Sequence, residues 1–311
     1  MDPRFYLLPS RPTTAFLGSP KEAATVLSRL ISAHMAPKVV VTNLDARRSR
    51  QAAPSPTPVA QVALEAGIKV IHEPGDLINY SFELGIVVAY GRILRPDVLA
   101  QAPFVNIHFS LLPRWRGAAP VERAILAGDA VTGVSLMEVG PGLDEGAVFA
   151  SRRVAIGAGA TSAVLRGELA DFGAQMLIGA LEAGGGAFGA PVEQSGEITY
   201  AKKIVSGDLR VDFNKSAELI ARQVAVGGAW CMLGPQRVKI IEATASTSDE
   251  VIDGVGDGAR RMEPGSLIGG YVICGSGYLR IQTLQIEGRN VMAFEAWQRG
   301  NARLHGELKF A

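Results

Sequence analysis

Asn106 and His108 stand two residues apart where the apolar run Phe104, Val105 and Ile107 ends, and Phe109-Ser110-Leu111-Leu112-Pro113 follows. In a strand, residues i and i+2 point to the same face, so an amide and an imidazole leave one strand end side by side. Such a pair can hold an oxygen that turns negative during a reaction, which is what acyl transfer needs. A lone histidine beside a core strand is ordinarily structural. The neighbouring amide and the Ser-Leu-Leu-Pro segment favour the chemical reading here. Further along, Asp144 lies in Gly140-Pro141-Gly142-Leu143-Asp144-Glu145-Gly146. An aspartate among glycines suits a tight turn, and its spacing alone does not bring it to His108.

These residues need elements to position them. Thr13–Leu17 reads as a strand, Gly18-Ser19-Pro20 as a turn and Lys21–Ala33 as an amphipathic helix. Strands are also predicted at Lys38–Val41, Lys69–Ile71, Leu84–Ala89 and Phe104–His108, with helices at Val59–Ala66 and Ile93–Ala100 between them. Asp45–Pro58, with Arg47, Arg48 and Arg50, reads as a loop. Strands alternating with helices imply parallel βαβ units in a doubly wound, Rossmann-like α/β sheet. Ligands of such sheets bind beyond the carboxyl ends of the strands, and Asn106 and His108 sit at such an end. No G-x-G-x-x-G follows the first strand, which disfavours a dinucleotide cofactor.

A helix at Val121–Leu126, a strand pair at Gly133–Val139 and Ala147–Ala155, and a helix at Ala163–Leu181 complete the first part. From Asp208 the texture changes. One helix, Ala217–Val226, precedes short strands at Val238–Ala243, Ser266–Ile268, Tyr271–Cys274 and Leu279–Leu284. That pattern is a small β-barrel, with residues 245–263 as a charged, glycine-rich insertion. The expected division is a catalytic domain over residues 1–190, a linker over 191–207 and the barrel over 208–311.

Composition narrows the class. The 311 residues are 48% hydrophobic and 20% charged, with 31 Lys and Arg against 30 Asp and Glu. Such a chain is globular, and a polyanion would have to be met by a local cluster such as Arg47-Arg48-Ser49-Arg50 or Lys202-Lys203. Two cysteines, Cys231 and Cys274, make a disulfide framework improbable and fit a reducing, cytoplasmic setting. The four histidines form no cluster with metal-ligand spacing. No apolar run approaches the roughly 18 residues of a membrane span.

The stretch from Asn106 to Gly146 resembles the formyltransferase family that uses 10-formyltetrahydrofolate. Arg114-Trp115-Arg116-Gly117-Ala118-Ala119-Pro120 resembles most fully its tRNA-formylating branch. Val87-Val88-Ala89-Tyr90-Gly91, Gly128-Asp129, Thr132-Gly133-Val134, Thr199-Tyr200-Ala201 and Arg237-Val238-Lys239 extend the likeness to nearly the whole chain. The resemblance implies a Rossmann-like catalytic domain followed by an OB-like barrel. It also implies transfer of a formyl group from 10-formyltetrahydrofolate, without a metal, to initiator Met-tRNA, a step of translation initiation.

The family's catalytic trio falls on Asn106, His108 and Asp144. Its folate pocket falls around Ile86–Leu94 and Val139–Asp144, with Tyr90, Gly91, Ser110, Leu111, Leu112, Pro113, Gly142 and Leu143 as binding positions. The Leu112–Pro113 bond is expected to be cis. The tRNA contacts fall on Arg50, Lys202 and Lys203.

The chain departs from the family at several points. Arg50 is flanked by Ser49 and Gln51 rather than glycines, Ala52-Ala53 replace basic residues, and Ala225-Val226-Gly227 precedes Gly228-Ala229-Trp230. Glu73–Glu83 is short for the family's helix, and a proline-containing extension precedes the first strand. These departures bear on the acceptor more than on the chemistry. An amino-sugar nucleotide as acceptor, a non-catalytic tRNA- or folate-binding role, and hydrolysis of formyl-folate stand as alternatives.

Overall fold

The computed structural model describes residues 2–44, 46–47, 54–188, 191–246, 262–268, 270–301 and 309–311. The chain divides into two compact units. Met1–Val121, Val131–Ala155 and Val164–Lys202 form the first; Glu122–Ala130, Ile156–Ala163 and Lys203–Ala311 form the second.

The first half of the chain alternates strands and helices. In order they are β1 (Thr14–Gly18), α1 (Lys21–Ser32), β2 (Val39–Val41), β3 (Ala46–Arg47), β4 (Pro54–Ser55), α2 (Pro58–Glu65), β5 (Lys69–Ile71), β6 (Leu84–Val88), α3 (Pro96–Leu99), β7 (Phe104–His108), β8 (Arg116–Gly117), α4 (Pro120–Ala127), β9 (Val131–Glu138), β10 (Val148–Ala155), α5 (Ser162–Ala183) and β11 (Tyr200–Ala201). Seven strands form one sheet in the order β10-β9-β7-β6-β1-β2-β5. The pairs β1–β2, β2–β5, β1–β6 and β6–β7 are parallel, while β7–β9 and β9–β10 are antiparallel. The doubly wound expectation holds.

After β5 the chain returns to the other side of β1 to lay down β6 and β7, so the strand order reverses between β1 and β6. The crevice at such a reversal, beyond the carboxyl ends, is where open α/β sheets bind ligands. β1 and β6 are almost wholly buried, as continuous apolar strands covered on both faces must be. Gly85 of β6 lies under the Phe104 ring, where an added Cβ would sit 2.1 Å from ring carbons.

Several boundaries differ from the sequence reading. α3 covers only Pro96–Leu99 of the predicted Ile93–Ala100, because Pro96 fits the first helical turn and its ring disfavours a helical residue before it. The predicted loop at 45–58 contains the β3–β4 ladder, Ala46–Ser55 and Arg47–Pro54. Arg48, Ser49, Arg50 and Gln51 lie outside the described residues, as do most of 245–263. The segment Pro74–Asn79 is a 3₁₀-helix.

The second unit contains α6 (Ala217–Val226), β12 (Trp230–Leu233), β13 (Gln236–Ser246), β14 (Leu267–Ile268), β15 (Tyr271–Ile273), β16 (Tyr278–Ile286), β17 (Met292–Ala293) and α7 (Phe294–Gly300). Its antiparallel sheet runs β12-β13-β16-β15-β14, with β17 on β16. The last residues join its two edges: Phe310 bridges Leu233 of β12, and Lys309 bridges Ser266 beside β14. The sheet thereby closes into the predicted OB-like barrel, which removes its free edges. Register shifts at Ile240–Ala243 mark bulges in the eleven-residue β13, the device by which a long strand bends around a barrel. Gly265, at φ +90°, is required here, because a Cβ would lie 2.1 Å from the Phe310 carbonyl oxygen.

Cys231 and Cys274 are free thiols within the barrel core. Burial pushes both up to about 12. The thiolate is the reactive form, so at pH 8 the native protein is expected to leave both thiols unmodified by Ellman's reagent, and denaturant to release two. Modification of the native protein at the rate of a free peptide thiol would contradict the closed barrel.

Candidate active site

β7 ends with Asn106 and His108 on one face, as its two-residue period dictates. His108 is 5% exposed. Its Nε2 lies 2.9 Å from the Trp115 carbonyl oxygen. A carbonyl only accepts, so Nε2 carries the proton and donates. This anchors one end of the ring and turns Nδ1 toward Asp144, whose Oδ2 is 3.6 Å away. Asn106 Nδ2 lies 3.5 Å from the other carboxylate oxygen, Oδ1. These spacings exceed a good hydrogen bond. Three polar groups therefore converge without saturating one another, which leaves Asn106 Nδ2 and His108 Nδ1 available to a reacting atom.

Asp144 is brought there by its loop. Its φ is +47°, a left-handed conformation that aspartate tolerates better than most residues. Oδ2 accepts from the Gly117 backbone N–H at 2.8 Å. Gln194 Nε2 donates to the carbonyls of both Asp144 and Gly146 at 2.8 Å. Gln194 Oε1 in turn accepts from Arg116 Nε at 3.0 Å and Nη2 at 2.7 Å. Arg116 is 8% exposed, so the fork anchoring the amide is itself held in place.

The residues after His108 are shaped by the same neighbourhood. The Leu112–Pro113 bond is cis, as the resemblance implies, and Trp115 has φ +64°. Trp115 N–H donates to Thr199 Oγ1 at 2.8 Å and Arg116 N–H to the Thr199 carbonyl at 2.9 Å. β8 pairs in parallel with β11 at Arg116–Tyr200 and Gly117–Ala201. The stretch expected to be a linker thus braces the candidate site through Gln194, Thr199 and β11.

Gln194→Ala is expected to lower kcat about tenfold. It removes two hydrogen bonds to the Asp144 loop and two from Arg116, and a bond to a charged group is worth about 1.5–3 kcal/mol. Gln194 acts through Asp144, so the KM of the acceptor should stay unchanged. A variant that melts earlier yet keeps full kcat would make the residue merely structural.

The other predicted positions are distributed as follows. Tyr90 is 2% exposed, with its ring in the core and its hydroxyl 3.5 Å from Arg92 Nη1. Gly91 follows at φ +75°. Ser110 is fully buried and donates to the Arg114 carbonyl at 2.6 Å, so its hydroxyl shapes the turn. Leu111 packs over Gly133. Leu112, Pro113 and Gly142 are half-buried, and Leu143 is exposed. Lys202 and Lys203 are both exposed. Arg50 lies outside the described residues.

A cavity of about 570 Å³ opens between the segment Ile93–Phe104 and the loop Glu138–Pro141 that leads to Asp144. Its size is ordinary for a small-molecule site. Leu94, Leu99, Ala102, Phe104 and Val139 supply an apolar lining, and Arg95, Glu138, Asp2 and Arg4 supply charge. Of the segments to which the resemblance assigns folate binding, Ile93, Leu94 and Val139–Pro141 line this cavity; Leu99, Phe104, Glu138, Asp2 and Arg4 line it as well and were not among the expected positions. Among the described residues, no group of three or more His, Cys, Asp and Glu side chains could hold a metal ion, and no helix is long and apolar enough to cross a membrane.

Comparison with known proteins adds the following. The formyl transferase family profile matches residues 13–181, and the profile of the formyl transferase C-terminal domain matches residues 203–302. A methionyl-tRNA formyltransferase of Cereibacter sphaeroides is 38% identical over 314 aligned positions, spanning 95% of this chain and 98% of that relative. Among solved structures, an N-formyltransferase of Helicobacter canadensis, in complex with folinic acid and dTDP-3-aminofucose, superposes with a TM-score of 0.60 at 14% identity, over 86% of this chain and 98% of that one. HypX of Aquifex aeolicus superposes with a TM-score of 0.62 at 18% identity, over 95% of this chain and 48% of that one.

Proposed function

Because the chain belongs to the formyl transferase family across both of its units, we propose that it transfers the formyl group of 10-formyltetrahydrofolate to the amino group of initiator methionyl-tRNA. The observation that carries the chemistry is the convergence of Asn106 Nδ2 and His108 Nδ1 on the Asp144 carboxylate, within 3.6 Å, at the carboxyl end of β7. The acceptor follows from relatives named methionyl-tRNA formyltransferase, matched over almost their full length.

In this reading the acceptor amine attacks the formyl carbon. A C–N bond forms, the carbonyl π-electrons move to oxygen, and a tetrahedral intermediate results. Asn106 Nδ2 donates to that oxygen as its charge develops. In its doubly protonated form His108 donates Nδ1–H to the same oxygen, and Asp144, facing that nitrogen, holds the charged ring in place and takes the proton lost by the amine, directly or through one water. Collapse of the intermediate breaks the bond to N10 of the folate, which receives a proton in exchange. Fixing amine and formyl carbon in contact supplies a further large part of the acceleration. The cavity beside Glu138–Pro141 takes the folate heterocycle, and Lys202, Lys203 and Arg50 contact tRNA phosphates.

The test is acceptor choice. Purified protein with 10-formyltetrahydrofolate should formylate initiator Met-tRNA and leave a panel of amino-sugar nucleotides untouched, with tRNA affinity falling steeply as salt rises. Formylation of a sugar nucleotide with little dependence on salt would replace the acceptor. Release of formate without any amine would make the reaction a hydrolysis.

A further inference from the structure

We propose that the N-terminal segment Asp2–Leu7, which precedes the residues matched by the family profile, forms a wall of the donor cavity, with Arg4 as the residue that positions it. This rests on the reading of that cavity as the site of the folate heterocycle.

Asp2 and Arg4 line the cavity together with Leu99, Phe104, Glu138 and Val139. The segment is a 3₁₀-helix, Pro3–Leu7, capped by Asp2, whose side chain accepts from the Arg4 N–H. Arg4 Nη1 donates to the Ala100 carbonyl at 2.8 Å and Nη2 to the Leu99 carbonyl at 3.1 Å. These carbonyls close α3, on one side of the cavity. The Asp2 backbone N–H donates to Glu138 Oε1 at 2.6 Å, on the other side. The segment therefore ties both sides together.

The Asp2 carboxylate also pairs with the Arg4 guanidinium, Nε to Oδ2 at 2.9 Å. Hydrogen bonding to Arg4 holds the Asp2 carboxyl below its ordinary range, so the pair stays ionised at neutral pH.

The wall is anchored from behind. Phe5 is 1% exposed and packs against Phe149 and Phe188, with ring centroids 4.7 Å and 5.5 Å away. Gly185 N–H donates to the Leu8 carbonyl and Arg11 N–H to the Leu181 carbonyl, both at 2.8 Å. Arg4 is thus placed by packing, and with Asp2 it lines the charged side of a cavity whose other lining, Leu99, Phe104 and Val139, is apolar. A flat heterocycle bearing amine and amide groups fits that combination.

The experiment compares wild type, Arg4→Ala, Arg4→Lys and Asp2→Asn for affinity to 5-formyltetrahydrofolate by calorimetry, beside melting temperature and the KM of Met-tRNA. Arg4→Ala should weaken folate binding by roughly tenfold, the fold-change of one charged hydrogen bond. Arg4→Lys should fall between, since an ammonium cannot reproduce the guanidinium fork. Asp2→Asn, which keeps shape while removing the ion pair, should also weaken folate binding and serves if Arg4→Ala does not fold. The KM of Met-tRNA should not move. Unchanged or tighter folate binding in the folded variants would overturn the proposal while leaving the folate reading intact. Failure of the wild type to bind 5-formyltetrahydrofolate would overturn both.

Discussion

Asn106→Ala is expected to lower the kcat of Met-tRNA formylation by about 10²–10³, the usual cost of deleting one donor to a developing oxyanion. The donor's position makes the effect specific. Asn106 is half-buried within β7, paired in register with Met137 and Val87. Its side-chain bond to Asp144 Oδ1, at 3.5 Å, is long and contributes little to stability. The amide is thus held by the strand rather than by partners, and its removal should leave the melting temperature nearly unchanged. Because it acts only once charge develops, the KM values for folate and tRNA should also hold. A variant that kept wild-type kcat would remove Asn106 from the mechanism.

Asp144→Asn is expected to lower kcat by about 10²–10⁴, the range for loss of a positioned acid–base group. Asparagine also tolerates the left-handed backbone at φ +47°. Its side-chain oxygen can still accept from the Gly117 N–H, now 2.8 Å from Oδ2. What it loses is the charge facing His108 Nδ1 and the ability to take a proton. Asp144→Ala should lose at least as much kcat. It should also lose about 1–2 kcal/mol of stability, because alanine is strained in that backbone region and the bond to Gly117 is gone. Comparing the two separates chemistry from loop geometry. Equal melting temperatures for both variants would mean that the loop is held by Gln194 alone.

Much of this site could be read from the sequence, for identifiable reasons. β7 is predicted and found at Phe104–His108, since a buried parallel strand is an apolar run and the Asn-x-His pair marks its end. α6 is likewise found at Ala217–Val226, preceded by the capping residue Ser216. Asp144 reached the site only through the family resemblance, because a glycine-rich loop has no period that reveals its partner. The bracing role of Gln194, Thr199 and β11 has no sequence signal for the same reason: they act through hydrogen bonds to residues some fifty to eighty positions away. The four-residue β12 is not among the predicted strands, and the closing contacts of Lys309 and Phe310 lie beyond any local pattern. No sequence motif includes Arg4, and only the three-dimensional path of the segment brings it to the cavity.

The destination of a labelled formyl group tests formyl transfer to methionine most directly. 10-Formyltetrahydrofolate labelled in the formyl carbon is incubated with initiator Met-tRNA and either wild-type protein or Asn106→Ala, both first shown to be folded. The aminoacyl ester is then hydrolysed and the amino acid separated. Labelled N-formylmethionine is expected from the wild type, and a rate at least a hundredfold lower from the variant. Label recovered as free formate, or equal yields of N-formylmethionine from both proteins, would rule out formyl transfer to methionine through Asn106.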